Sequence, residues 1–347
     1  MNDYRQVSCL PAGRHVLQKT NNYKHMKKTI LLFGILLSFT FLNAQQLDPI
    51  DVLVSQYPKT FNNSEELAVL INKDFDTDKD KARAIYSWIT MNVKYDVKAH
   101  FSKKKKKRIK SKNRVDRAQK IRKYEIQLEN KALSKHLAVT EGYTVLFKRL
   151  CDLTGVYGYV LKGTAKLRTF DIGKQPRVLN HSWNVVQIDK EWFFVDATLG
   201  AGTVDYMEKT YQHFFNDKYF FTPPEKFFLN HFPKEKGWLF VEKTADDFSK
   251  LPLFIGEYLK NDYELIEPYK GVLDLKGKDS IQFIIKSPVP IEKLTYQFSY
   301  EKEPSAVGVE LKNGEYTFDI PFIVKRRGYL NLFCNKKAFL SYKIGAY

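Results

Sequence analysis

The chain reads as an α+β protein whose C-terminal part is a β-sandwich. Apolar residues recur at three- and four-residue steps through much of 48–155, and from about Gly271 they switch to two-residue alternation. Aromatic residues make up 15% of the 347, a content that suits β-rich packing and excludes an extended disordered chain. With 44% hydrophobic residues the chain can bury substantial cores, and its length suggests about two domains.

The N-terminus carries processing signals. Met26-Lys27-Lys28 is a charged start, the run from Thr29 to Leu42 is apolar, and Leu42-Asn43-Ala44 offers a small residue at a cut. We read 1–25 as lying upstream of the native start and 26–44 as a signal peptide, which makes the mature protein periplasmic or secreted. The apolar run is shorter than the roughly 20 residues that span a bilayer, so no transmembrane segment is expected in the mature chain. No cysteine follows it to accept a lipid anchor.

A first domain is expected over 45–243. From Asp48 to Tyr95 the pattern is helical, with Ala82, Ile85, Tyr86 and Ile89 on one face, and Asp76, Asp78 and Asp80 suit a helix N-terminus. Residues 102–135 form a basic, helical insertion whose acidic end, Glu125 and Glu129, can pair with its basic half. Tyr143, Leu146, Leu150 and Leu153 share one face and Gly155 is a stop, which predicts a helix from Glu141 to Leu153. A strand over 156–163 and a loop over 168–177 lead to a hairpin beginning at His181. Residues 244–269 read as a connector. In 270–347, alternation in Ile281-Phe283-Ile285, Leu294-Tyr296-Phe298 and Tyr316-Phe318-Ile320, with the turn signal Asn313-Gly314, predicts a sandwich of about seven strands.

The net charge of +18 is unevenly placed. Residues 102–123 hold thirteen Lys/Arg and one Asp, and the leader holds six and one, so the rest of the chain is nearly neutral. Contact with an anionic surface (lipid head groups, acidic polysaccharide or a protein) therefore falls to one run, Lys103, Lys104, Lys105, Lys106, Lys107 and Arg108. The interleaved aromatics of a single-strand platform are missing there, which argues against nucleic acid. Of the three cysteines, Cys9 is in the leader; Cys151 and Cys334 make no disulfide framework and read as two independent buried thiols.

Candidate chemistry centres on His181 and Asp196. If Asp189-Lys190 is a two-residue turn, opposed residues sum to 379 and the two side chains share a sheet face as diagonal neighbours. A carboxylate there can fix the imidazole tautomer and stabilise its cation, which a general base requires. On a hairpin such a pair is also a common structural feature.

Ordered motifs add to this pair. Lys81-Ala-Arg-Ala-Ile-Tyr-Ser-Trp-Ile-Thr-Met-Asn-Val-Lys-Tyr-Asp96, Val139-Thr-Glu-Gly-Tyr, His181-Ser-Trp-Asn184, Asp196-Ala-Thr-Leu-Gly-Ala-Gly202 and the tail from Phe220 to Trp238 together resemble the transglutaminase-like superfamily, in its kyphoscoliosis-peptidase-like branch. The resemblance implies a papain-like fold with a Cys-His-Asp triad for acyl transfer, in which a cysteine at a helix N-terminus forms a thioester. It makes His181 the base and Asp196 its orienter, and it puts the nucleophile position on Thr140. Cys151 lies about 16 Å further along the same helix and Cys334 in the other domain. Threonine is a poor nucleophile without an N-terminal amine as base, and it is a favoured helix N-cap.

The resulting expectation is a pseudo-enzyme that binds a peptide, a protein or an envelope component. The alternative is an active peptidase, amidase or cross-linking enzyme using Thr140, His181 and Asp196. No metal, phosphate-loop or dinucleotide motif is present, so no cofactor is expected. His136, His213 and His231 read as lone packing or surface residues, Trp183 as core against the helix, and the aromatic cluster from Tyr211 to Phe232 as buried rather than a carbohydrate platform.

Overall fold

Three helices open the described chain, α1 (Pro49–Ser55), α2 (Ser64–Asp74) and α3 (Asp78–Asn92). Side-chain caps start the last two: Asn63 accepts from the Glu66 amide and Thr77 from the Asp80 amide. Helix α3 is buried from Ala82 to Thr90, including the Arg83 guanidinium. That charge is met by Asp51 of α1, with Nε–Oδ1 2.9 Å and Nη2–Oδ2 2.5 Å, and the Ser87 hydroxyl donates to the same carboxylate. A buried pair of this kind fixes how α1 docks more than it adds net stability, because desolvating both ions offsets most of their attraction. This computed structural model describes residues 48–345 except 103–108, 207 and 325, so the expected leader and the Lys103–Arg108 run lie outside the described residues.

The chain continues through β1 (Lys94–Tyr95), α4 (Val97–His100), α5 (Arg114–Lys135), β2 (Leu137–Ala138) and α6 (Thr140–Thr154). The insertion is thus helical over α5. It begins on the Asn113 side chain, which accepts from the Asp116 amide. Its buried residues Glu129, Ala132 and Leu133 sit where α5 packs on α6. Arg122 reaches Glu129 at 2.5 Å and Glu125 at 3.6 Å, joining the basic and acidic halves. Strands β1 and β2 pair in parallel and set Tyr95 beside the start of α6. Helix α6 buries Tyr143, Leu146, Phe147 and Leu150 completely and stops at Gly155, whose φ of 85° is left-handed.

Next come β3 (Gly158–Ala165), β4 (His181–Ile188), β5 (Glu191–Val195), α7 (Ala197–Gly200), β6 (Gly202–Asp205), β7 (Thr210–His213), β8 (Phe220–Thr222), α8 (Pro224–Phe228) and β9 (His231–Pro233). An antiparallel sheet is ordered β8-β5-β4-β3-β9. Asp189 and Lys190, with φ of 51° and 71°, form the β4–β5 turn, and Asn184 opposes Val195, the register the sequence predicts. Helix α6 lies on one face, tied by Asn184 Nδ2 donating to the Thr144 carbonyl at 3.1 Å. Trp183 corrects the sequence reading. It points to the other face, into a small core with Leu161, Val185, Phe194 and Phe227. Gly163 must be glycine there, since a Cβ would lie 2.3 Å from the Phe232 carbonyl and 2.5 Å from the Trp183 ring.

The segment expected to be a connector holds α9 (Ala245–Lys250), β10 (Leu253–Phe254), α10 (Gly256–Lys260) and β11 (Glu264–Glu267). After it run β12 (Val272–Leu273), β13 (Ser280–Lys286), β14 (Leu294–Phe298), β15 (Ser305–Ala306), β16 (Glu310–Lys312), β17 (Glu315–Pro321), β18 (Gly328–Cys334) and β19 (Lys337–Ile344). One sheet is ordered β10-β19-β18-β14-β15 with β12 also on β19, and the other β11-β13-β17-β16. The sandwich therefore recruits β10 and β11 from the supposed connector. Phe283 of β13 meets Tyr342 of β19 edge-on at 5.3 Å between the sheets. Asn313 and Gly314 make the expected β16–β17 turn, both with positive φ. A continuous core runs from Val54 to Ile344. Cys151 and Cys334 are free and buried. Among the described residues no helix is long and apolar enough to cross a membrane.

Candidate active-site cleft

Strand β4 begins at His181, and β5 ends one residue before Asp196. His181 Nε2 lies 2.6 Å from Asp196 Oδ2, and both side chains are almost completely buried. Asp196 does a second task as the N-cap of α7: its Oδ1 accepts from the amides of Thr198 at 2.9 Å and Leu199 at 3.0 Å. The carboxylate is thereby locked in rotation by the helix that follows it.

A second imidazole converges on the same oxygen. His231 Nε2 lies 2.9 Å from Asp196 Oδ2, and its Nδ1 is 3.3 Å from the Phe227 carbonyl. The ring is stacked on Phe227, with centroids 3.9 Å apart. This corrects the reading of His231 as a lone histidine. Burial opposes ionisation of Asp196, but the charge of His181 and the two imidazole donors outweigh it and hold the carboxyl well below its ordinary range. Burial pushes the pKa of His231 down, so its neutral form is favoured. His181 Nε2, Asp196 Oδ2 and His231 Nε2 also form the one group among the described residues close enough together to hold a metal ion. Each of these atoms already engages another of the three at hydrogen-bond distance, and that network accounts for their convergence without an ion.

Thr140 is the first residue of α6 and lines one cleft with His181. The N-cap position belongs to Val139 and has no side-chain cap bond, so the capping role expected of Thr140 is not the one it takes. Tyr95 lines the same cleft, with its hydroxyl 2.8 Å from His100 Nδ1; burial raises the pKa of that phenol and Thr140 counters the rise. Asp196 takes Nε2 of His181, which leaves Nδ1 as the nitrogen not engaged by the carboxylate.

The cleft contains groups that sequence reading did not find. Lys166 is 1% exposed and donates to the carbonyls of Phe248 at 2.7 Å and Leu251 at 2.6 Å, with no carboxylate within ion-pair distance among the described residues. Burial lowers its pKa to about 7. Asn230 Nδ2 donates to the Phe254 carbonyl at 2.9 Å, which fixes the amide's orientation and leaves Oδ1 without a partner. Thr198 Oγ1, on the same cleft lining, is also unpartnered. Residues 253–256 complete the wall, so the sandwich half contributes to the cleft.

No family model matches the chain. Among curated proteins it is 28% identical over 242 residues to the kyphoscoliosis peptidase of Homo sapiens and 26% identical over the same length to that of Mus musculus; each match covers 69% of this chain and 32% of the relative. The chain is transglutaminase-like. It spans about a third of the length of the curated relatives it matches. Among solved structures, a TGase crystal structure overlaps 51% of this chain and 38% of its own at 16% identity and a TM-score of 0.25. In this transglutaminase-like chain the three positions singled out from sequence motifs, Thr140, His181 and Asp196, come together around one cleft. His231 and Lys166 join them through strand pairing and packing that leave no local motif. A retrospective signal for His231 is its place inside the Phe220–Trp238 tail, one of the motifs carrying the resemblance.

Proposed function

We propose that the chain is an exported transglutaminase-like protein whose cleft binds a peptide segment or side-chain amide and which does not carry out cysteine-type acyl transfer. The observation that supports this reading is the placement of Thr140. It occupies the helix start and lines the cleft, and no hydrogen bond joins it to His181 among the described residues. The two thiols do not replace it: Cys151 is buried inside α6, where burial pushes its pKa up, and Cys334 is in β18, where its sulfur accepts from the Tyr263 hydroxyl at 3.2 Å.

A second reading, acyl transfer by Thr140 itself, is favoured by one feature: Nδ1 of His181 is not taken by Asp196. One experiment decides between the two. Purified wild type, His181→Ala, Thr140→Cys, and Thr140→Cys combined with His181→Ala are assayed for casein hydrolysis and for amine incorporation into a glutamine donor. We expect no turnover in wild type, a gain in Thr140→Cys, and loss of that gain in the double variant. Turnover in wild type that disappears in His181→Ala would replace the binding reading with the enzymatic one.

A further inference from the structure

Asp196 serves two histidines, and the acyl-transfer resemblance gives a role to only one of them. We propose that His231 is a positioning residue that sets the proton affinity of His181 by sharing the carboxylate oxygen between them. The inference rests on the reading of His181 and Asp196 as a base and its orienter, though not on whether Thr140 reacts.

Asp196 Oδ1 is occupied by the Thr198 and Leu199 amides, so Oδ2 alone faces the imidazoles. For His181 to become a cation, Oδ2 must supply the compensating charge. His231 Nε2, 2.9 Å from that oxygen, can engage it only as a donor, and a donor draws off part of the charge His181 would use. His231 is 1% exposed and held between Phe227 and Trp183, with ring centroids at 3.9 Å and 5.0 Å, so it cannot swing away to release the oxygen. The neutral tautomer this requires carries its proton on Nε2. That tautomer forgoes a hydrogen bond from Nδ1 to the Phe227 carbonyl at 3.3 Å in favour of the shorter one from Nε2 to the carboxylate at 2.9 Å. Sharing thus divides between two donors the oxygen that an Asp196 dedicated to His181 would give to it alone. The titratable groups facing the pair are Asp196 and, in the cleft lining, Tyr95, Lys166, Tyr206, Tyr211 and Tyr219. All of these are unchanged in the comparison below, so their influence cancels.

Histidine-labelled protein is titrated by NMR, following the Cε1–H and ring nitrogen signals of His181 in wild type, His231→Phe and His231→Gln. In wild type, the His231 nitrogen shifts should report a neutral ring with its proton on Nε2. In His231→Phe, which keeps an aromatic ring against Phe227 but has no donor, the His181 midpoint should rise by about one pH unit, as expected for losing one competing hydrogen bond to a charged group. His231→Gln restores an N–H at the Nε2 position and should bring the midpoint back toward wild type. Equal His181 midpoints in all three proteins would reduce His231 to a packing residue. A wild-type proton on Nδ1 would overturn the proposal even if His231→Phe fails to fold. Neither outcome depends on turnover, so failure here is distinct from failure of the binding reading.

Discussion

Lys166 illustrates how a single side chain registers its surroundings. Its ammonium has two carbonyls for partners and no carboxylate at contact distance among the described residues, and burial lowers its pKa to about 7. An unfolded lysine titrates near 10.4. Between those values the unfolded chain still holds the proton that the folded chain has released, so folding stability rises with pH across the window, by a total on the order of 5 kcal/mol. Below pH 7 the whole cost of burying the charge is present, and above about pH 10.4 none of the pH dependence remains. Comparing urea midpoints of wild type and Lys166→Met from pH 7 to 10 isolates the effect, since every other group titrates alike in both. The wild type should gain on the variant as pH rises; parallel curves would mean the ammonium stays charged throughout.

At the level of elements, legibility followed from periodicity. The two-residue repeat and the Asp189-Lys190 turn place His181 and Asp196 on one face, and the structure has that register. The side of the sheet that face occupies is not written in β4, because alternation gives two faces without saying which one a helix covers; Trp183 was assigned to the wrong one for that reason. His231 was invisible because β9 reaches the site through antiparallel pairing with β3, a contact that no spacing within either strand encodes. The connector hid β10 and β11 because a two-residue strand has no period to detect, and β11 is interrupted by a register shift. Helix α5 shows the opposite case, a basic element plain in composition. As part of the binding proposal, replacing Lys103–Arg108 with serine and glycine should weaken association with phosphatidylglycerol vesicles at low salt, and the wild-type association should itself fade as salt is raised. Unchanged binding of the variant at low salt would rule out that run as the contact.

Across the whole molecule, the cleft is a joint product of both halves. Lys166 and Asn230 donate to the carbonyls of Phe248, Leu251 and Phe254, all C-terminal to residue 243. A chain ending at residue 243 would leave those polar groups unsatisfied and expose the apolar surface under α9 and β10. It should therefore melt without cooperativity or at a much lower temperature than the full chain, as followed by circular dichroism. A sharp transition near the full-length Tm would show that the first half stands alone. The pairing of Leu253 with Ser341 has a further consequence, in the order of events. The helices and the β4–β5 hairpin close through short loops, whereas β10 must wait for β19, a closure across most of the sandwich. The His181–Asp196 pair lies within elements that short loops can close early, whereas the wall that shapes the cleft needs the last strand of the chain, so the imidazole and carboxylate can meet before the surface that would select a ligand exists.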